Sequence, residues 1–198
     1  SDTEMTSAIK TCNDNKVYLA QFFRVISQEN SADIYQAAKD SDYYIGAVHE
    51  DEPANGEELV NILLNKGDRN IGLIGWEQGD ATWLGRWEGY KAGVDKWNEE
   101  HPDDQAKLSE PQYAGTTSEG GSKAAEALMA ADPNLDALIP AGGGGDPLQG
   151  AIAAVERAGK TADIDIVSTD FLPDLGDRLE NGSMAGESGG HFCDPLIA

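Results

Sequence analysis

The sequence is poor in cations. Fourteen lysines and arginines stand against 36 aspartates and glutamates, a formal net charge of -22. Surfaces that bind nucleic acid need a basic footprint to neutralise phosphates, so this balance argues against DNA and RNA as partners. The same ground argues against docking on anionic lipid. The acid excess itself reads as solubility. Cysteine is nearly absent. Cys12 and Cys193 sit near opposite ends; a secreted protein could bridge them, but two cysteines make no disulfide framework. No CxxC or Cys/His cluster has the spacing of a zinc site, and no residue pattern implies a metal or a cofactor. No apolar run approaches the length of a membrane span, and no signal peptide opens the chain. Residues 1–15 read as the end of a helix, with Met5 and Ile9 one turn apart, and the final HFCDPLIA reads as a helix just beginning. Both ends therefore look cut, and an export or lipoprotein signal is expected to lie in the missing parts.

What is present is an alternation of strand-like and helix-like segments over 198 residues, 39% of them hydrophobic. Residues 43–90 carry the clearest case: a strand ends in an acidic turn, a helix follows, then a buried strand, a polar loop and a second helix. The sequence predicts strands at 17–23, 44–48, 70–76, 108–114, 135–141, 164–169 and 184–188, and helices at 55–66, 82–99, 121–131, 147–158 and 173–180. Residues 27–42 are polar and give no assignment, and 98–105 read as a charged, solvated tip. This order implies an α/β fold, a three-layer α-β-α arrangement with a mostly parallel sheet and loops gathered at its carboxyl edge. Trp83, Trp87, Tyr90, Val94 and Trp97 recur at spacings of four, three, four and three, one apolar helical stripe.

Several motifs invite chemistry. The four glycines at 142–145 precede a helix start, where backbone amides bind anions. A P-loop needs Lys-Ser or Lys-Thr next, yet Asp146-Pro147 follows, and Leu148 occupies the position of the third glycine of a dinucleotide pattern. Residues 186–190, GESGG, match GxSxG, but the later histidine, His191, is only three residues beyond the serine. No nucleophile and base pair up convincingly, so the chain is read as a non-enzyme. Asp170 follows an apolar strand and can accept hydrogen bonds from ligand hydroxyls, or cap the helix near Pro173. Arg86 can fork two bonds to a ligand, or pair with Glu88 or another surface acid. Trp76 and Trp83 flank a loop after a strand end; they can stack on sugar rings or pack in the core. His49 and His101 have surface readings.

These segments together resemble the type I periplasmic sugar-binding proteins, the group that includes ribose-binding protein and the effector domains of lac-repressor-like regulators. The resemblance runs from Lys16 to the end. It is carried by HEDEPANGEELVNILLNKG, by RNIGLIGW followed by GRWEGYKAGV, by PNLDALIPAGGGGDPLQGAIAAVERAGK, by DIDIVSTDFLPD and by NGSMAGESGG. It implies two lobes closing on a small carbohydrate: residues 1–50 as part of a first lobe, 51–190 as a complete second lobe, and 191–198 as the start of a return to the first. Arg86 matches the family arginine that grips hydroxyls, and Asp170 its ligand aspartate. Arg24 lies where the first lobe offers an arginine, with Phe23 before it in place of an acid or asparagine. The family's ligand asparagine falls near Gly144, and its glutamine near Gly190 with His191 adjacent. These two departures put the usual pentose or hexose in question. The resemblance further implies the extracellular or periplasmic solute-binding component of a sugar ABC-type uptake transporter, with a membrane permease as partner. The alternative is the effector domain of a lac-repressor-family regulator, which an upstream helix-turn-helix would favour. An incomplete first lobe would leave apolar surface unburied, so dimerisation or swapping of this chain is also expected.

Overall fold

The structure is a computed structural model and describes residues 2–22, 26, 28, 31–142, 146–169 and 174–189. Two compact units emerge, one built mainly from residues 1–50 and one from residues 51–190.

The smaller unit contains α1 (Asp2–Asp14), β1 (Leu19–Phe22), α2 (Ala32–Lys39) and β2 (Tyr44–Val48). Its strands pair in parallel, from Leu19 opposite Tyr44 to Phe22 opposite Val48. Ile9 of α1 and Ile34 of α2 are buried, while Tyr18, just before β1, and Ile45 of β2 are 70% and 69% exposed. The segment 27–42, unassigned by sequence, holds α2. Ile34 is its one buried apolar residue, so it has too little periodicity to announce itself. Cys12 carries a free thiol; Cys193 lies outside the described residues.

The larger unit runs α3 (Glu52–Lys66), β3 (Asn70–Gly75), α4 (Ala81–Glu100), β4 (Lys107–Leu108), β5 (Gln112–Tyr113), α5 (Ser118–Ala131), β6 (Ala137–Pro140), α6 (Asp146–Arg157), β7 (Asp165–Thr169), α7 (Leu175–Asn181) and β8 (Gly186–Ser188). The strand order is β4-β3-β6-β7-β8, with β5 also on β3 and every pair parallel. Side chains alternate across this sheet, as a pleated strand requires. Ile71, Leu73, Ala137, Ile139 and Val167 join one core with Leu59, Leu63, Trp83 and Tyr90 of α3 and α4. Ile74, Leu138 and Ile166 join the other with Ala125, Leu148 and Ile152 of α5 and α6. Both faces are covered, which is the three-layer α/β architecture expected from the alternating order.

Three differences from the sequence expectation have physical causes. The strand expected at 108–114 is two short strands, because Pro111 has no N–H to give the ladder. Helix α3 begins at Glu52 rather than 55: Asp51 caps it by accepting from the Ala54 N–H at 3.1 Å, and proline stands within its first turn. The tip at 98–105 is partly helix and is tied down. Trp97 Nε1 donates to the Asp104 carbonyl at 2.8 Å, Arg69 bonds both Asp104 oxygens, and His101 stacks on Trp97 with ring centroids 3.9 Å apart. The apolar stripe of α4 forms as expected, with Trp83, Tyr90 and Val94 buried and Trp87 and Trp97 packed at its margin.

Candidate functional site

In a parallel sheet the carboxyl edge offers a crevice where the direction of winding reverses. Here the chain leaves β3 towards β4 and β5 on one side, whereas β6 leads to β7 and β8 on the other. The reversal therefore falls between β3 and β6. Residues following these strand ends include Trp76 and Gly142, and β7 ends at Thr169 alongside. The N-caps of α3, α4 and α5 are Asp51, Asp80 and Thr117; each accepts from a backbone N–H of the first turn, so these helix starts are closed by their own side chains.

Arg86 reaches this edge from the buried face of α4, between Trp83 and Tyr90. Its side chain is 4% exposed. Nε donates to Glu52 Oε2 at 2.5 Å, one terminal nitrogen donates to Thr169 Oγ1 at 2.5 Å, and the guanidinium lies 5.2 Å from the centre of the Trp76 ring. The partner acid is Glu52, 34 residues away, rather than the nearby Glu88. The arginine stands this deep because α3 and α4 touch through glycines. A Cβ on Gly56 would collide with the Arg86 carbonyl oxygen, and one on Gly89 would collide with that of Pro53. The end of β6 is equally close to β7: a Cβ on Gly142 would run into Thr169 Oγ1. Tyr90 is wholly buried beneath the ion pair. Desolvation pushes its phenol well above the ordinary value of 10, Glu52 adds to the rise and Arg86 opposes it, so the ring contributes no charge.

Of the residues singled out from sequence, Arg86 and Trp76 are brought together here. Trp83 is placed entirely in the core, edge-on to Tyr90 with ring centroids 5.8 Å apart. Asp170, Arg24, Phe23, Gly144 and His191 lie outside the described residues. Ser188 of the GxSxG match sits on β8, paired with Thr169, not on the strand-to-helix turn that a nucleophile elbow requires. Glu52 and Thr169 were missed. Asp51 followed by Pro53 is a helix-start signature that could have moved α3 forward to include Glu52; nothing in the sequence marks Thr169 as a partner of Arg86. Cavities lined by described residues include one along α1, a polar groove between α3 and α4 near Trp97, and one at the amino edge beside Lys107 and Asp132. Among the described residues no cluster of histidine, cysteine, aspartate or glutamate could hold a metal ion. No helix among them is long and apolar enough to cross a membrane.

Solved structures with this fold include three bacterial ABC transporter solute-binding proteins. One from Burkholderia multivorans, with an unknown ligand, is 16% identical with a TM-score of 0.75, over 96% of this chain and 62% of that one. One from Actinobacillus succinogenes 130z with bound D-allose is 18% identical with a TM-score of 0.71, over 90% of this chain and 59% of that one. One from Agrobacterium vitis with bound D-fucose is 18% identical with a TM-score of 0.68, over 90% of this chain and 56% of that one. The chain thus spans less than two thirds of the length of these proteins. No curated protein matches it. Residues 1–189 match the family described as periplasmic binding protein domain, and the chain belongs to that family.

Proposed function

We propose that the chain is the ligand-binding part of an extracellular or periplasmic solute-binding protein that serves a sugar ABC-type uptake transporter. The ligand is a small carbohydrate held at the carboxyl edge of the larger unit. Arg86 donates to its hydroxyls, Asp170 accepts from them, and Trp76 offers a ring face. Arg24, Phe23, Gly144 and His191 complete the proposed ligand set. The work is capture and release without bond chemistry, closure on the ligand being what a membrane permease reads. A lipoprotein anchor in the complete protein is part of the same proposal.

The observation that carries it is the buried, prearranged Arg86 at the point where the winding of the sheet reverses, one residue short of Asp170 through its bond to Thr169. Prearranged donors lose less freedom on binding. Family membership and the sugars in structures of the same fold support the reading. Thermal-shift screening against mono- and disaccharides tests it, since stabilisation grows with ligand concentration over Kd. A sugar is expected to raise Tm, and Asp170→Ala is expected to abolish the rise. A rise that survives in Asp170→Ala would remove that residue from the site, and a panel without any response would remove the sugar.

A further inference from the structure

A guanidinium withdrawn from water needs a counter-charge. In many anion sites the ligand supplies it. Here the protein has supplied it already. Glu52 is the first residue of α3, where the positive end of the helix dipole favours an anion. It holds Arg86 Nε at 2.5 Å while remaining 20% exposed itself. The hydroxyl of Thr169 takes a second donor without adding charge. Among the described residues the planar fork is thus held by Glu52 and Thr169, with Glu52 as its counter-charge.

A neutral polyol suits such a pair, because its hydroxyls accept from the guanidinium and donate to a carboxylate with no net charge to balance. A ligand carboxylate or phosphate meets Glu52 as a like charge and an arginine that is already compensated, and discrimination of that kind is repulsive in origin. We propose that Glu52 is a specificity-determining residue of the carbohydrate site: by matching the charge of Arg86 it reserves the site for neutral sugars and turns away sugar acids and sugar phosphates. The assignment rests on the reading of this edge as a sugar site.

Matched ligands on the full chain test it. D-galactose with D-galacturonate and D-glucose with D-glucuronate differ only at C6, and D-ribose with D-ribose 5-phosphate only at C5. Affinities come from calorimetry after a thermal-shift screen. For whichever pair binds, the neutral member is expected to bind at least tenfold tighter than the anionic one. Glu52→Gln keeps the size of the side chain and one acceptor for Arg86 Nε but removes the charge, and it is expected to narrow that gap at least fivefold. Wild-type protein that binds the anionic member as tightly as the neutral one would overturn the role of Glu52 and leave the sugar reading standing, whether or not the variant folds. So would a folded Glu52→Gln protein with an unchanged gap. Absence of binding by every sugar would refute the sugar reading and the role of Glu52 with it.

Discussion

Asp68→Asn should make the larger unit more stable at neutral and alkaline pH, and the reason lies at the amino edge of the sheet. Helix α3 ends at Gly67, whose φ of 112° is a left-handed cap, and Asp68 donates its N–H back to the Leu63 carbonyl at 3.1 Å. That geometry pins the Asp68 carboxyl, 9% exposed, between the starts of β6 and β7. Its Oδ2 has no hydrogen-bond partner among the described residues. Asp136 already accepts from the N–H groups of Arg69 and Asn70 at 2.9 and 2.7 Å, and Asp165 pairs with Lys66 at 3.4 Å. Desolvation first, then the charges of Asp165 and Asp136 and a hydrogen bond with Asp165, push the Asp68 carboxyl from the ordinary 3.8 up to about 7, against a smaller opposing effect of Lys66. The folded state therefore keeps a proton that the unfolded state releases. This contribution is fully present below about pH 4, declines as pH rises towards 7, and is flat beyond. The gap corresponds to up to about 4 kcal/mol. Urea unfolding followed by tryptophan emission at pH 5, 6, 7 and 8 gives the stability of each protein. The variant's advantage over wild type should grow with pH across that range and then level. A difference that stays constant from pH 5 to 8 would refute a shared proton between Asp68 and Asp165.

Gly89→Ala should lower stability by about 2 kcal/mol, since the new methyl group meets the Pro53 carbonyl and overpacks the α3–α4 contact by more than alanine returns in helix propensity; thermal melting reads this, with the expected loss reversed in sign if the helices can part freely. Asp136→Ala should cost about 2–4 kcal/mol, because it strands two backbone N–H groups and the Asn70 amide that its carboxylate now satisfies; a change below about 0.5 kcal/mol in urea unfolding would mean that water replaces it.

The sheet was legible because its strands are apolar on both faces, and the hydrophobic run at 70–76 could be nothing else in an alternating chain. Helix α4 was legible because five large apolar residues keep one helical face. Arg86 could be picked out as a fork on that helix. Its environment could not, because Glu52 and Thr169 lie 34 and 83 residues away and become neighbours only when α3 packs on α4 and β7 joins the sheet. The same holds for Asp68, Asp136 and Asp165, three scattered acids that the loops at one sheet edge draw together. Short elements failed for lack of period: α2 buries one side chain, and β4 and β5 are two residues each.

The interruption at 109–111 has a consequence for behaviour at high concentration. An outermost strand with a continuous row of free amides is a template on which other chains can stack into fibrils. Here the row stops after two residues, passes an acid and an imino acid, and resumes for two more. A foreign strand finds no stretch long enough to zip onto, so this margin of the protein can face a crowded solution as a dead end for growth.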